Sequence, residues 1–348
     1  MSTNTIRKIS LPQLIAPTSP FESAEILEPF VWTSSALKTF RRCKRLFYWK
    51  YLLRLNRRIR NKNLFIGGLF HEILGQWYRS KHSSMAKVAE KIITPGVNQL
   101  EAEAALYDQD DYDDIMTDVH MLTGMLVGYS RVYGVDRLEW DIERKGIEQE
   151  FEVNMGDFIY RGKIDLCARR RSKHKVKKAS LFEHKTASRI DESYIDRLSL
   201  DTQVRGYVFG AIHGLGIPVD EVIYDVVKKC KLRRKGDETL KQYYERIAED
   251  YEMRPGFYFY REALKFDKSD IDAFEYEVRQ THREFRLLVA DMANPLDPRE
   301  WGINDAACRE FFRLCEFHSC CTECVDARTG LLFEQRDSLH QELTDISD

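Results

Sequence analysis

The sequence predicts an α/β fold in which helices enclose a central sheet. Three segments in succession show the alternating, β-branched and aromatic pattern of strands: residues 146–153 (GIEQEFEV), 158–168 (FIYRGKIDLCA) and 179–187 (ASLFEHKTA). A helical segment that ends at a glycine, residues 196–216, comes next, and residues 221–230 (EVIYDVVKKC) form a fourth predicted strand. Three strands, a helix and a further strand are typical of an α/β core.

Helices are predicted around this core. Residues 33–55 form a basic, aromatic helix for which Thr33, Ser34 and Ser35 are candidate N-caps. Further helices are expected after Gly67 and Gly68, over most of residues 84–134, at 237–252 and at 269–293, with a short strand at 256–262. The tail from residue 333 is polar and acidic, so we expect it to be disordered or loosely helical.

These elements divide the chain into five expected segments. They are an extended N-terminal arm (1–30), a helical domain (31–135), an α/β core (136–300), a cysteine-rich segment (301–326) and an acidic tail (327–348).

Composition limits the function. The chain has 348 residues, 43% of them hydrophobic, and 54 basic against 56 acidic residues, so any affinity for nucleic acid must come from local patches. No apolar run approaches the ~20 residues that span a bilayer, and the N-terminus lacks the apolar core of a secretory signal. We therefore expect a cytoplasmic protein without membrane contact. A Walker A motif is absent from the sequence, which excludes an ATP-driven helicase of that type.

Charged residues interrupt two of the predicted strands. Side chains alternate along a strand, so Glu183 and Lys185 share one face, and an antiparallel hairpin would bring Asp165 beside them. Two close carboxylates repel each other unless a cation lies between them, and hard oxygen ligands suit Mg²⁺ or Mn²⁺. Such an ion polarises a phosphodiester and activates water, while a lysine steadies the developing charge. The alternative is a surface salt bridge, which is common on strands.

With their surroundings, these residues resemble the PD-(D/E)xK nuclease superfamily, in particular its RecB-like exonuclease branch. The matching motifs are GKIDL with Asp165, FEHKTA with Glu183 and Lys185, QVRGY with Gln203 and Tyr207, and upstream GGLFHEIL with His71. The resemblance implies a mixed central sheet of the restriction-endonuclease-like type. It further implies that His71, Asp165 and Glu183 bind the metal, with the carbonyl of His184 as a further ligand. Lys185 would be the catalytic lysine, and Gln203 and Tyr207 would position the scissile strand or the attacking water.

The cysteines resemble those of the iron–sulfur members of this branch. Cys43 lies alone in a basic, aromatic segment, and five cysteines crowd residues 308–324. The resemblance implies a structural [4Fe-4S] cluster that joins the two terminal segments, for which four thiolates suffice. Its ligands would be Cys43, Cys308, Cys315 and Cys321, with Cys320 or Cys324 as alternatives to Cys321. Lys44 stands where family members usually have proline. A zinc site that uses Cys321 and Cys324 is the rival.

A basic surface is predicted near the N-terminus. Residues 38–62 contain eleven Lys or Arg and no acidic residue, interleaved with aromatic residues. Such a groove suits a single strand, whose bases stack while its phosphates pair with cations, although the aromatic residues are equally suited to a core. The predicted contacts are Arg41, Arg42, Lys44, Arg45 and Tyr48. A second basic run, residues 169–178, falls at the predicted hairpin turn, where a solvated loop is the ordinary interpretation.

The sequence thus predicts a Mg²⁺- or Mn²⁺-dependent DNA exonuclease that acts at DNA ends or on single strands, in a bacterial cell or a phage-infected host. Two alternatives remain open: a catalytically silent subunit that binds DNA ends in a recombination or CRISPR adaptation complex, and an RNA-directed nuclease. The resemblance is also compatible with a homo-oligomer and with a helicase or recombination partner.

Overall fold

A mixed seven-stranded sheet lies at the centre of the molecule. The computed structural model describes residues 29–58, 62–80, 83–102, 109–172, 178–310, 313–322, 332–336 and 343. Within them the strands are β1 (Phe30–Trp32), β2 (Leu55–Arg57), β3 (Trp140–Asp141), β4 (Ile147–Asn154), β5 (Phe158–Arg170), β6 (Ala179–Ala187), β7 (Val219–Lys228), β8 (Phe259–Leu264), β9 (Arg309–Glu310), β10 (Arg313–Leu314) and β11 (Phe333–Gln335).

Helices cover the sheet, as predicted. In the same residues they are α1 (Ser34–Arg42), α2 (Lys44–Phe47), α3 (Lys62–Arg79), α4 (Met85–Ala102), α5 (Gln109–Tyr133), α6 (Asp136–Glu139), α7 (Glu192–Ile195), α8 (Thr202–His213), α9 (Leu240–Met253), α10 (Pro255–Tyr258), α11 (Lys268–Asp291) and α12 (His318–Thr322). A π-helical turn, Tyr48–Leu52, follows α2. None of the described helices is both long enough and apolar enough to span a bilayer.

The sheet has the order β1-β5-β6-β7-β8, and β3 and β4 also pair with β5. β1 is parallel to β5, and β6 is parallel to β7, whereas β5–β6, β7–β8 and β4–β5 are antiparallel. The prediction of an α/β fold with a mixed central sheet is therefore confirmed, in agreement with a PD-(D/E)xK type of core.

Strand alternation divides the interior into two apolar layers. On β6, Leu181 belongs to the layer under α1, α8 and α11, and Phe182 belongs to the layer under α3, α5 and α9. Because both faces of the sheet are covered, a polar side chain that lies inside one of these layers is buried and needs a partner.

The N-terminal helix begins where the sequence predicts and ends earlier. Thr33 is the N-cap, and its side chain accepts the N–H of Ala36 at 3.2 Å. The chain leaves the helix at Cys43, whose φ of −160° and ψ of 121° are extended, so the predicted single helix is divided into α1, α2 and the π-helical turn.

Three expectations about local structure need correction. Residue 30 belongs to β1 instead of an extended arm, because Phe30–Trp32 pair with the start of β5. Residues 333–335 form β11 against β2 within the expected loose tail, because Phe333 is buried against Phe317. The strand expected at 256–262 begins at Phe259, since Pro255 starts the short helix α10.

Candidate active site

The candidate active site forms where β5 and β6 part. The two strands pair antiparallel as far as Leu166 and Phe182, so the predicted hairpin is present. Beyond that point the backbone N–H of His184 donates to Oδ2 of Asp165 at 2.8 Å. The side chain of Asp165 thus satisfies the buried N–H of His184, which has no acceptor on the backbone of β5 once the two strands have parted.

A chain of contacts connects the predicted catalytic residues. The Nζ of Lys185 forms an ion pair with Oε1 of Glu183 and donates to Oε1 of Gln203 at 3.0 Å. The Nε2 of Gln203 donates to the hydroxyl of Tyr207 at 2.7 Å, and that hydroxyl donates to Oδ1 of Asp165 at 3.3 Å. Since Gln203 and Tyr207 lie one turn apart on α8, the helix presents both to the same point of the sheet.

Glu183 is the most strained member electrostatically. Its side chain is completely buried, and its Oε1 forms the ion pair with Lys185. In the part of the chain that the structure describes, Oε2 has no hydrogen-bond partner. A buried carboxylate oxygen without a donor is costly, and a bound cation is one way to satisfy it.

His71 and Glu148 complete the group. His71 lies on α3, and its Nδ1 is 3.5 Å from Oδ2 of Asp165. One ligand atom each from His71, Glu148 and Asp165 lie within 4.8 Å of one another, which is a spacing that could hold a metal ion. Lys163, on β5, places its Nζ 3.5 Å from Oε2 of Glu148.

Glu148 is a member of the site that the sequence motifs do not include. It stands near the start of β4 with a φ of 51°, in the left-handed region that non-glycine residues rarely adopt. A backbone conformation of this kind cannot be recognised in one sequence. The only available signal was an acidic residue at the start of the strand before GKIDL, and alternation alone assigns such a residue to solvent.

Burial controls protonation at the site. Burial lowers the pKa of His71 to about 4, against the opposing charge of Asp165, so the imidazole is neutral near pH 7. Burial raises the pKa of Glu183 to about 8 against the attraction of Lys185, and it raises the pKa of Glu148 to about 8 together with repulsion by Asp165. A neutral imidazole beside carboxyl groups that resist ionisation is a set of ligands from which a divalent cation would displace protons.

His184 contributes to both faces of the sheet. Its peptide N–H reaches Asp165, whereas its imidazole lies on the opposite face, where it is buried and its Nδ1 is 3.3 Å from Oδ2 of Asp225.

The residues predicted to bind nucleic acid lie on α1, α2 and the π-helical turn, and their side chains contact α11 and the C-terminal segment. The contacts are Arg41 to Thr281 and Glu277, Arg42 to the carbonyl of Ala307, Lys44 to Glu284, Arg45 to the carbonyls of Trp301 and Arg299, and Tyr48 to the carbonyl of Leu296. These side chains therefore join the two terminal parts of the chain.

The expected aromatic groove needs correction. The aromatic residues of the segment are all buried. Phe40 and Phe47 pack with Trp32 and Phe285, Tyr48 packs with Trp301, Trp49 with Phe317 and Tyr51 with Phe47. In this structure they form core and are not exposed as a platform for bases. The predicted basic run 169–178 lies partly outside the described residues, and Arg169, at its start, is 3.5 Å from Glu143.

The predicted cluster cysteines lie on neighbouring segments. The thiol of Cys43 is 4.0 Å from the carbonyl of Gly302, and the N–H of Cys315 donates to the carbonyl of Cys308 at 2.8 Å. Burial, and to a smaller degree the thiol of Cys43, raise the pKa of Cys321. Among the cysteines that the structure describes, which exclude Cys324, no three sulfurs lie within 4.8 Å of one another.

Comparison with known protein families supports the interpretation of this group of residues as a nuclease site. A family model described as the PD-(D/E)XK nuclease superfamily matches residues 31–322. No curated protein matches the chain. A solved structure described as "Crystal structure of SSO0001" is 12% identical and covers 65% of this chain and 79% of its own, and its TM-score of 0.26 is too low to carry an argument. Because the family model spans most of the chain and includes the whole site, the chain belongs to the PD-(D/E)XK nuclease superfamily.

Proposed function

We propose that the protein is a divalent-metal-dependent DNA exonuclease that hydrolyses phosphodiester bonds at DNA ends or in single-stranded DNA. The observation that carries this proposal is the convergence of Asp165, Glu183 and Lys185 at the point where β5 and β6 part. Membership of the nuclease superfamily supports cleavage of nucleic acid. The choice of DNA and of exonuclease action rests on the resemblance to the RecB-like branch.

The residues fit a hard divalent cation such as Mg²⁺ or Mn²⁺. The set contains a neutral imidazole from His71, the carboxylates of Asp165 and Glu148, and Glu183 with a buried oxygen that lacks a donor. We infer that these four side chains, with the backbone carbonyl of His184, would hold the ion. When bound, the ion would polarise the phosphate and lower the pKa of water.

Lys185 is the residue that we assign to charge stabilisation and proton transfer. Its side chain is 29% exposed although Glu183 beside it is completely buried, so the amine can reach both the carboxylate and a substrate. Gln203 fixes the amine at 3.0 Å and Tyr207 fixes Asp165. Lys185 and Asp165 are thus both hydrogen-bonded to side chains of α8, which would preserve the distance between the catalytic lysine and the metal ligand during the reaction.

We further propose a structural [4Fe-4S] cluster held by Cys43, Cys308, Cys315 and Cys321. The supporting observation is that hydrogen bonds join the segment around Cys43 to the segment before Cys308. The side chain of Asn304 donates to the carbonyl of Arg42 at 2.8 Å, and the N–H of Arg45 donates to the carbonyl of Gly302 at 3.1 Å. The four thiolates of such a cluster bind four different irons, so their sulfurs lie further apart than the ligands of a single zinc ion.

The nuclease is tested by cleavage assays on labelled single-stranded DNA, duplex DNA and RNA with Mg²⁺ or Mn²⁺. We expect DNA cleavage that Lys185→Ala lowers by a factor of about 10²–10⁴, the usual contribution of a proton-transfer group, with DNA binding retained. Lys268→Ala is the matched control, because Lys268 is 88% exposed at the start of α11. DNA binding without cleavage in any metal would instead support the silent DNA-end-binding subunit, and cleavage of RNA alone would support the RNA-directed alternative.

Exonuclease action and the cluster need separate measurements. Circular single-stranded DNA should resist digestion that degrades the linear form, and rapid cutting of the circle would refute the exonuclease assignment.

Anaerobically purified protein should contain about four irons and four sulfides per chain, as a [4Fe-4S] cluster requires. Cys43→Ser should lose the iron. Stoichiometric zinc without iron would refute the cluster.

A further inference from the structure

A row of charged side chains crosses the sheet on the face opposite Glu183 and Lys185. His184 on β6 is the register partner of Asp225 on β7, and Asp225 is the register partner of Arg261 on β8. The Nδ1 of His184 is 3.3 Å from Oδ2 of Asp225, a close polar contact without the geometry of a hydrogen bond, and Nη2 of Arg261 donates to the same oxygen at 2.7 Å. Three neighbouring strands thus contribute one side chain each to a single line of contacts.

Helix residues hold this row in place. The hydroxyl of Tyr129, on α5, donates to Oδ2 of Asp225 at 2.6 Å and accepts from Arg261 at 2.8 Å. Asp136, on α6, receives two hydrogen bonds from the guanidinium of Arg261, at 3.0 and 2.7 Å. Oδ2 of Asp225 therefore accepts hydrogen bonds from both Tyr129 and Arg261, and a shift of the carboxylate would weaken both.

The row lies in an apolar layer. Asp225 is 0% exposed, His184 2% and Asp136 4%, and the residues around them belong to the core under α3, α5 and α9. Burial would raise the pKa of Asp225, but the charge of Arg261 and the contact with His184 outweigh it and lower that pKa. Buried ion pairs of this kind are often no more stable than apolar residues of the same volume, so stability alone does not explain why they are here.

The row ends at the candidate metal site. The peptide of His184, whose imidazole contacts Asp225, donates its N–H to Asp165 at 2.8 Å. The residues on either side of His184 are Glu183 and Lys185. Because β5 and β6 have already parted, strand pairing with β5 does not fix this peptide. Its orientation is set by pairing with β7, and the contact of the imidazole with Asp225 adds a second constraint from the opposite face.

We propose that Arg261, Asp225 and Tyr129 are positioning residues for the metal site. They fix the imidazole of His184 on one face, and the peptide of His184 consequently holds Asp165 on the other. The inference rests on the proposed function, since it assumes that Asp165 is a metal ligand. Groups that orient metal ligands typically contribute a factor of about 10–100 in metal affinity.

The test is Mn²⁺ binding to the full-length protein, measured by calorimetry, together with thermal unfolding in chelator. Asp225→Asn keeps the shape of the side chain and removes its charge. Ile247→Ala is the control, because it removes apolar volume from the same layer where α9 packs against Gly124 of α5. We expect the Mn²⁺ dissociation constant to rise by a factor of about 10–100 in Asp225→Asn. It should stay within a factor of about 2 in Ile247→Ala, which destabilises the protein without affecting the metal ligands.

Tyr129→Phe provides a milder variant should Asp225→Asn not fold. It removes one hydroxyl from Asp225, and we expect a smaller loss of Mn²⁺ affinity in the same direction, with kcat lowered more than KM is changed. Unchanged Mn²⁺ affinity in the folded row variants, or a loss equal to that of Ile247→Ala, would overturn the positioning role and leave the proposed nuclease intact. No Mn²⁺ uptake by the wild-type protein would overturn both.

Discussion

Gly206→Ala tests how closely α8 must approach the sheet. A Cβ on Gly206 would overlap the hydroxyl of Tyr160 and lie 3.1 Å from Cζ of the same ring and from Oγ of Ser34. The ring cannot swing away, because Tyr160 is completely buried beside Phe209 and Phe274. Since carbon atoms pack at about 3.5–4.0 Å, we expect α8 to move outward by roughly 1 Å.

Two effects of this displacement can be measured. Overpacking costs about 1–3 kcal/mol, and the close overlap with the Tyr160 hydroxyl belongs in the upper part of that range, about 2–3 kcal/mol. The better helix propensity of alanine returns about 1 kcal/mol, so the net loss of unfolding free energy should be about 1–2 kcal/mol. The displaced helix carries Gln203 and Tyr207, which contact Lys185 and Asp165. A shift of ~1 Å in such groups can lower kcat by about 100-fold.

The assay combines urea unfolding with single-turnover DNA cleavage. Gly68→Ala in α3 is the control, because a Cβ there meets nothing within 4 Å, and it should stabilise the protein by about 0.5–1 kcal/mol. Tyr160→Phe in the Gly206→Ala background removes the overlapping oxygen and should restore part of the stability. If Gly206→Ala were as stable as the wild-type protein, or if Tyr160→Phe gave no recovery, the reasoning would be refuted.

Three further outcomes are expected. The charge of Lys38 outweighs burial and lowers the pKa of Asp201 to about 2. This ion pair therefore stabilises the fold above pH 3.8, and its contribution is lost as the pH falls toward 2. In urea unfolding, Lys38→Met should lower the free energy of unfolding by about 1 kcal/mol at pH 6 and by much less at pH 2. Mn²⁺ at 100 times its dissociation constant should add about 2.7 kcal/mol to the unfolding free energy, and chelator should reverse this stabilisation. Glu148→Gln should reduce the stabilisation by Mn²⁺. A melting temperature that Mn²⁺ leaves unchanged would count against the metal site. Phe333→Ala should cost about 3 kcal/mol by loss of the buried stack on Phe317, and a tail that contributes nothing would leave stability unchanged.

Periodicity was sufficient to predict the sheet and most of the helices. Each central strand of the α/β core carries an apolar or alternating run long enough to be recognised. The start of α1 was predicted to within the three candidate N-caps, of which Thr33 is the cap in the structure. Short elements were missed. β1, β3 and β11 have two or three residues each, so they contain no periodic pattern and depend on a partner strand for their formation.

The basic, aromatic N-terminal segment shows the limit of composition. Its aromatic residues fit a nucleic-acid groove and a core equally well, and only the packing of Trp32 and Phe285 against them decided for the core. Its arginines contact carbonyl oxygens of the C-terminal segment, which is some 250 residues away in sequence. Contacts over such separations leave no local signal.

The residues available for catalysis can be recognised from local patterns: two carboxylates and a lysine on adjacent strands, and a glutamine and a tyrosine one turn apart on the next helix. These depend on strand and helix periods, which are local properties of the backbone. Three arrangements have no such local signal: β5 and β6 part at Leu166, Glu148 joins His71 and Asp165, and Asp225 contacts the imidazole of His184 on the opposite face of the sheet. Those arrangements depend on strand register and on a left-handed backbone residue, and both result from the packing of the whole domain.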